Sequence, residues 1–117
     1  MEVSNSRSPA GEVESLRGAA FVLDTGTLEI RGRVIRLLGV EGAGGKEARN
    51  FMRYLRNREV ICEPAGTGDE HRCRVGDQDL SQVILYNGGS RATADASSEL
   101  KAAEEQARVA RVGIWAR

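Results

Sequence analysis

Apolar and polar residues alternate along the first third of the chain. Leu28 and Ile30 are separated by polar neighbours, and Ile35 and Leu37 repeat the pattern a few residues later. A period of two is typical of half-buried strands, because successive side chains of a strand point to opposite faces. Together with two later runs rich in β-forming residues, the pattern predicts five short strands, at residues 19–23, 27–31, 34–38, 59–62 and 72–75.

Three further segments have the three- and four-residue spacing of amphipathic helices. The first is residues 46–56, with Phe51 and Leu55 in its apolar stripe. The second follows Asp79, a good N-cap residue, and the third covers residues 98–111. Strands and helices in this order predict a mainly β, α+β fold: a five-stranded Greek-key barrel of the oligonucleotide/oligosaccharide-binding (OB) type, capped by three helices.

Composition adds a domain boundary and argues against several classes of protein. Ser, Pro, Gly and acidic residues dominate residues 1–16, which are predicted to form a flexible tail before one domain at 17–117. No apolar run approaches the ~20 residues that span a bilayer. The 17 basic residues balance the 17 acidic ones, so strong nucleic-acid binding is not expected.

The compartment stays open at this point. The polar opening, residues 1–15, lacks the apolar core of a signal peptide, so both a cytoplasmic location and export with removal of a leader are compatible with the chain. If residues 59–62 and 72–75 pair antiparallel, Cys62 lies directly opposite Cys73, within disulfide distance. An exported chain would oxidise this pair, whereas a cytosolic chain would keep two buried thiols.

Five stretches resemble the staphylococcal-nuclease-like (thermonuclease) domain family. They are VLDTGTLEI at 22–30, IRLLGV at 35–40, ARNFMRYL at 48–55, DLSQVILYNGG at 79–89 and AAEEQARVARVGIW at 102–115. The last is the most specific, because its glutamate, its Ala-Arg pair and its Gly-Ile-Trp end fall at the family's spacing. The resemblance implies an OB barrel capped by helices and, in active members, calcium-dependent cleavage of DNA or RNA.

The resemblance also shows which catalytic positions this chain has lost. Active members use two metal-binding aspartates, a glutamate beside the attacking water and two arginines. The aspartates fall on Gly26 and Glu41, the glutamate on Gly44 and the first arginine on Arg36. The second arginine is deleted with a shortened hairpin, unless Arg72 replaces it. The resemblance therefore implies no competent catalytic residue and no bound metal, with Arg36 and Glu41 as remnants.

These losses favour a catalytically degenerate, bacterial-type domain that acts as a binding or accessory module without a cofactor. An oligosaccharide or a protein is the expected kind of partner for the barrel groove. Some degenerate relatives are linked to exopolysaccharide (succinoglycan) biosynthesis, so the resemblance implies that context as well. The alternative is a weak calcium-dependent nuclease or phosphodiesterase that works through Asp24, Arg36 and Glu41.

Several of these side chains also have purely structural interpretations. Asp24 lies in a tight turn, where an aspartate usually accepts a hydrogen bond from its own backbone. Arg36 either holds a phosphate or pairs with Glu41 or a carbonyl. His71 is predicted to be a solvated loop residue, since no nucleophile or carboxylate accompanies it, and Trp115 is expected to pack a helix end as part of the core.

Overall fold

The computed structural model describes residues 15–116, and within them it contains seven β-strands, three α-helices and a final 3₁₀ turn. The strands are β1 (Leu16–Gly18), β2 (Ala20–Asp24), β3 (Thr27–Ile30), β4 (Arg33–Leu37), β5 (Val60–Pro64), β6 (Glu70–Val75) and β7 (Gln78–Asp79). The helices are α1 (Gly45–Leu55), α2 (Leu80–Tyr86) and α3 (Ser98–Ala110), and the 3₁₀ turn is Gly113–Trp115. The predicted α+β class is confirmed.

All strands belong to one mixed sheet with the order β1-β5-β6-β4-β3-β2, and β7 pairs with β6 beside this path. Neighbouring strands are antiparallel except β4 and β6, which are parallel. The path of pairings is open and the sheet contains seven strands, so it differs from the predicted five-stranded, partly open Greek-key barrel. Its two edge strands, β1 and β2, are separated along the chain by Ala19 alone.

The predicted tail, residues 1–16, lies outside the described residues except for its last two. Of these, Leu16 belongs to β1 and lies opposite Cys62 of β5. In the part of the chain that the structure describes, no helix combines the length and the apolar character that a membrane span requires.

The core lies between the inner face of the sheet and the three helices. The strand residues that alternate toward it are at most 2% exposed; they are Leu28, Ile30, Ile35 and Leu37. The helices contribute Phe51 and Leu55 from α1, Leu80, Ile84 and Leu85 from α2, and Ala103 and Ala107 from α3. The apolar periodicities of the sequence therefore predict the buried faces correctly.

Cys62 and Cys73 lie directly opposite each other on β5 and β6, in the predicted register, and are joined by a disulfide. The prediction for the nearby His71 was wrong. His71 is only 2% exposed, and its Nδ1 lies 2.8 Å from the carbonyl oxygen of Asp69. Because β6 begins at Glu70, two residues earlier than predicted, strand alternation places His71 on the same buried face as Cys73.

Trp115 was expected to be a core residue, and this prediction is correct only in part. It lies just beyond α3, but it is half-buried and stands outside the main apolar cluster. The guanidinium carbons of Arg91 and Arg108 lie 4.9 and 5.2 Å from the centre of its ring. The side chain therefore closes the end of α3 through cation–π contacts more than through apolar packing.

Candidate functional site

The positions that the resemblance assigns to catalytic groups lie in the β2–β3 turn, on β4 and in the segment after β4. Gly26 lies in the turn between β2 and β3, and its carbonyl accepts a hydrogen bond from the amide of Leu37, the residue after Arg36. Glu41 and Gly44 lie in the segment that leads from β4 to α1. That segment packs on the β2–β3 turn, where the amide of Thr25 donates to the carbonyl of Ala43.

A side chain at Gly26 would be tight against the segment that follows β4. A Cβ atom built on it would lie 3.1 Å from the Cα of Gly42 and 3.2 Å from both the Gly42 nitrogen and the Val40 oxygen. All three are backbone atoms, which cannot rotate away as a flexible side chain can. A side chain at this position would therefore require the 40–42 segment to move by a few tenths of an ångström.

The carboxylate of Asp24 accepts a hydrogen bond from the backbone of its own turn, as predicted. Its Oδ1 accepts a hydrogen bond of 2.7 Å from the amide of Gly26. Gly42, whose φ of +100° favours glycine, lies against the same oxygen, and a Cβ at Gly42 would stand 2.7 Å from it. The turn and the 40–42 segment are thus in close contact, with glycine on both sides.

Thr25 fastens this contact to a third segment. It is fully buried, its amide donates to the carbonyl of Ala43 at 2.9 Å, and its Oγ1 accepts from the amide of Ala43 at 2.8 Å. The same hydroxyl donates to the carbonyl of Gly89 at 2.9 Å. Ser90, 1% exposed, adds a hydroxyl that accepts from the amide of Gly42 at 2.7 Å. The end of the sheet is therefore a hydrogen-bonded joint of three segments.

The two charged remnants lie outside this joint. Arg36 is exposed and stands opposite Thr27 on β3 and Glu70 on β6. Glu41 is also exposed, and its amide donates to the carbonyl of Arg91 at 3.0 Å. Among residues 15–116, the side chain of Arg36 forms no salt bridge, so the predicted pairing with Glu41 is not observed. Arg72, the other candidate arginine, lies on β6 opposite Glu63.

Calcium, the ion that the resemblance implies for active relatives, does not fit these residues. It takes six to eight oxygen ligands, usually several carboxylates among them. Asp24 already accepts a hydrogen bond within its turn, Glu41 is exposed, and Gly26 and Gly44 offer no side-chain oxygen. Within the described residues, no group of three or more His, Cys, Asp or Glu is arranged to hold a metal ion.

Thr25→Val is expected to lower the free energy of unfolding by about 2 kcal/mol. Valine has a similar shape, but it removes the hydrogen bonds that the Thr25 hydroxyl makes to the amide of Ala43 and the carbonyl of Gly89. Urea denaturation measures the effect. Thr27→Val is the matched control, since Thr27 lies nearby on β3 and its hydroxyl has no role in the joint. Equal losses in the two variants would contradict the role given to Thr25.

Two adjoining clefts lie along the helices, with volumes of ≈ 450 Å³ and ≈ 490 Å³. Both are lined by Tyr54, Val83 and Asn87, so they adjoin at these residues, and we call the two clefts together the α1–α2 groove. Neither cleft is lined by Arg36 or Glu41. The groove therefore borders the hydrogen-bonded joint at Thr25 and Gly89 but does not include the two charged remnants.

Aromatic and amide side chains characterise the groove. It contains both tyrosines of the chain, Tyr54 on α1 and Tyr86 at the end of α2. Four amide side chains line it as well: Asn50, Gln78, Gln82 and Asn87. Sequence patterns did not single out this surface. The available signal was a pair of i, i+4 spacings, Asn50 with Tyr54 and Gln82 with Tyr86, each of which places an amide beside an aromatic ring on one helix face.

No protein-family model matches the chain, and a search of curated proteins gives no match. The similarity to staphylococcal-nuclease-like domains therefore stays a prediction from the five quoted stretches.

Proposed function

We propose that this chain is a non-hydrolytic binding module built on an OB-type, staphylococcal-nuclease-like fold. The observation that carries the proposal is the geometry at Gly26, which offers no metal-binding side chain and lies close against the 40–42 segment. A Cβ at this position would stand 3.1–3.2 Å from backbone atoms of Val40 and Gly42, so an added carboxylate would require that segment to shift. Two buried hydroxyls, of Thr25 and Ser90, hold that backbone in place.

The path of the chain through the sheet supports an OB-type fold. Residues 16–24 run as one nearly continuous strand whose first half pairs with β5 and whose second half pairs with β3. An OB barrel closes in this way, through a first strand shared between the two edges of its sheet. The parallel pairing of β4 with β6 is in keeping with the same arrangement.

The residues that remain at the joint do not support phosphodiester hydrolysis. That reaction needs a base to position water and positive charge around the developing phosphorane. Gly44 supplies no base, Gly26 no ligand, and Arg36 is the one arginine placed at a matching position. Loss of one positioned group commonly costs about 10²–10³ in rate, so these losses together leave little catalysis.

The α1–α2 groove supports binding as the remaining activity. Ligand sites are typically concave, with volumes of roughly 300–1,000 Å³ and a few well-placed polar groups on an apolar lining. Each of its two clefts falls in that range. An oligosaccharide or a protein segment is the partner that we propose. The association with exopolysaccharide (succinoglycan) biosynthesis is supported by the resemblance alone.

We expect no calcium-dependent cleavage of DNA or RNA above background. Plasmid relaxation and cleavage of a labelled RNA, each with calcium and with a chelator, test this. Arg36→Ala and Arg33→Ala form a matched pair, because both arginines are exposed on β4 and Arg36 alone lies at a family catalytic position. Metal-dependent turnover that Arg36→Ala abolishes and Arg33→Ala retains would overturn the proposal in favour of a weak phosphodiesterase.

A further inference from the structure

The α1–α2 groove offers an aromatic ring that is open to a ligand. Tyr86 is 57% exposed although it lines the second cleft. Tyr54, which lines both clefts, is half-buried against the core, and the guanidinium group of Arg58 lies 5.2 Å from its ring centre. Tyr86 is thus the more accessible of the two rings. An aromatic face carries negative charge density and attracts the weakly positive hydrogens of C–H groups laid over it.

Two amide side chains in the same groove offer one free donor and one free acceptor. The hydrogen bonds that each amide already makes show which of its atoms is free. Asn50 accepts a hydrogen bond from Arg53 through Oδ1, at 3.0 Å, which leaves its Nδ2 as a donor. Asn87 donates through Nδ2 to the carbonyl of Val83, at 2.8 Å, which leaves its Oδ1 as an acceptor. A hydroxyl group both donates and accepts, so a ligand rich in hydroxyls can use both amides.

The charges of the groove disfavour a polyanion. Its lining contains one lysine, Lys46, and three carboxylates, those of Glu47, Asp77 and Asp79. Proteins that bind single-stranded nucleic acid through stacked bases combine aromatic rings with a positively charged groove that follows the phosphates. This groove has the aromatic part of that arrangement without a net positive charge, since Lys46, Arg53 and Arg58 are matched by the three carboxylates.

From these three observations we infer that the α1–α2 groove binds a neutral, β-linked oligosaccharide of glucose type. All substituents of such a sugar are equatorial, so each ring has a flat C–H face to place on Tyr86 and a rim of hydroxyls to reach Asn50 and Asn87. Its lack of charge matches a groove in which positive and negative side chains balance. The inference rests on the proposed function and names the ligand class of the same groove.

Titration of the ¹⁵N-labelled chain with cellopentaose and laminaripentaose tests the inference by amide shifts and by calorimetry. We expect saturable binding of at least one glucan, with shifts concentrated at α1 and α2. Tyr86→Ala is expected to weaken binding about tenfold, and Tyr86→Phe, which keeps the ring face, is expected to stay within about threefold of wild type. Because Tyr86 is exposed, both variants should fold, which the same spectra verify.

Phe21→Ala is the matched control, since Phe21 is an aromatic residue of similar exposure, 61%, on β2 and lines neither cleft. Absence of binding to both glucans overturns the inference, as does glucan binding that Tyr86→Ala and Phe21→Ala weaken equally. Tighter binding of a thymidine pentanucleotide at the same residues would replace the neutral sugar by a nucleic acid. The cleavage assays report separately on the proposed function, so a negative glucan titration with inactive protein rejects the ligand class alone.

Discussion

Gly26→Asp is expected to lower the free energy of unfolding by about 4 kcal/mol, although it reinstates the residue type of an active nuclease at that position. The new Cβ would press against the backbone of Val40 and Gly42 at 3.1–3.2 Å. The carboxylate beyond it would enter a buried turn in which the carboxylate of Asp24 already lies. Overpacking and the burial of a second negative charge therefore act in the same direction.

Two further substitutions separate these contributions in urea or thermal denaturation. Gly26→Ala introduces the Cβ without the charge and is expected to cost about half as much. Gly44→Glu reinstates the other lost carboxylate, but a Cβ there meets nothing within 4 Å, so its effect should stay within about 0.5 kcal/mol. A Gly26→Asp variant as stable as Gly44→Glu would show that the 40–42 segment moves aside easily, and would remove the main support for an inactive site.

Reduction of the Cys62–Cys73 disulfide is expected to lower the free energy of unfolding by about 3 kcal/mol and the Tm by roughly 15 °C. The two cysteines are 11 residues apart in sequence. Opening a loop of that length stabilises the denatured state by about this much, because the denatured chain gains conformational entropy. Both side chains are fully buried, so reductant reaches them when β5 and β6 separate.

The double variant Cys62→Ala, Cys73→Ala provides the control, because reductant should leave its melting temperature unchanged. Its stability should lie near that of the reduced wild type, slightly lower for the small cavity that the alanines leave. Melting curves with and without a phosphine reductant measure both. A wild-type Tm that does not respond to complete reduction, verified by thiol counting, would contradict the expected contribution of the disulfide.

Local patterns predicted most of the secondary structure. Where apolar residues repeat over four or more positions, as in β3 or α1, the predicted bounds lie within two residues of the observed ones. The strands β1 and β7 were not predicted, because their lengths of three and two residues are too short to show a period. The prediction for His71 was wrong because β6 extends into a segment rich in turn-forming residues. Its pairing with β5, and with it the face on which His71 lies, is not visible in the local pattern.

The order of residues alone shows that glycine stands at positions 26 and 44, where the resemblance would place carboxylates. It also sets the apolar faces, and it sets Cys62 opposite Cys73 once the two strands pair antiparallel. Whether the place of a lost carboxylate is open or filled depends on how distant segments meet. Gly26 contacts Gly42 across the β3–β4 hairpin, and Thr25 bonds to Gly89 across 64 residues. The α1–α2 groove likewise depends on the tertiary structure, because the side chains that line it come from segments distant in the chain.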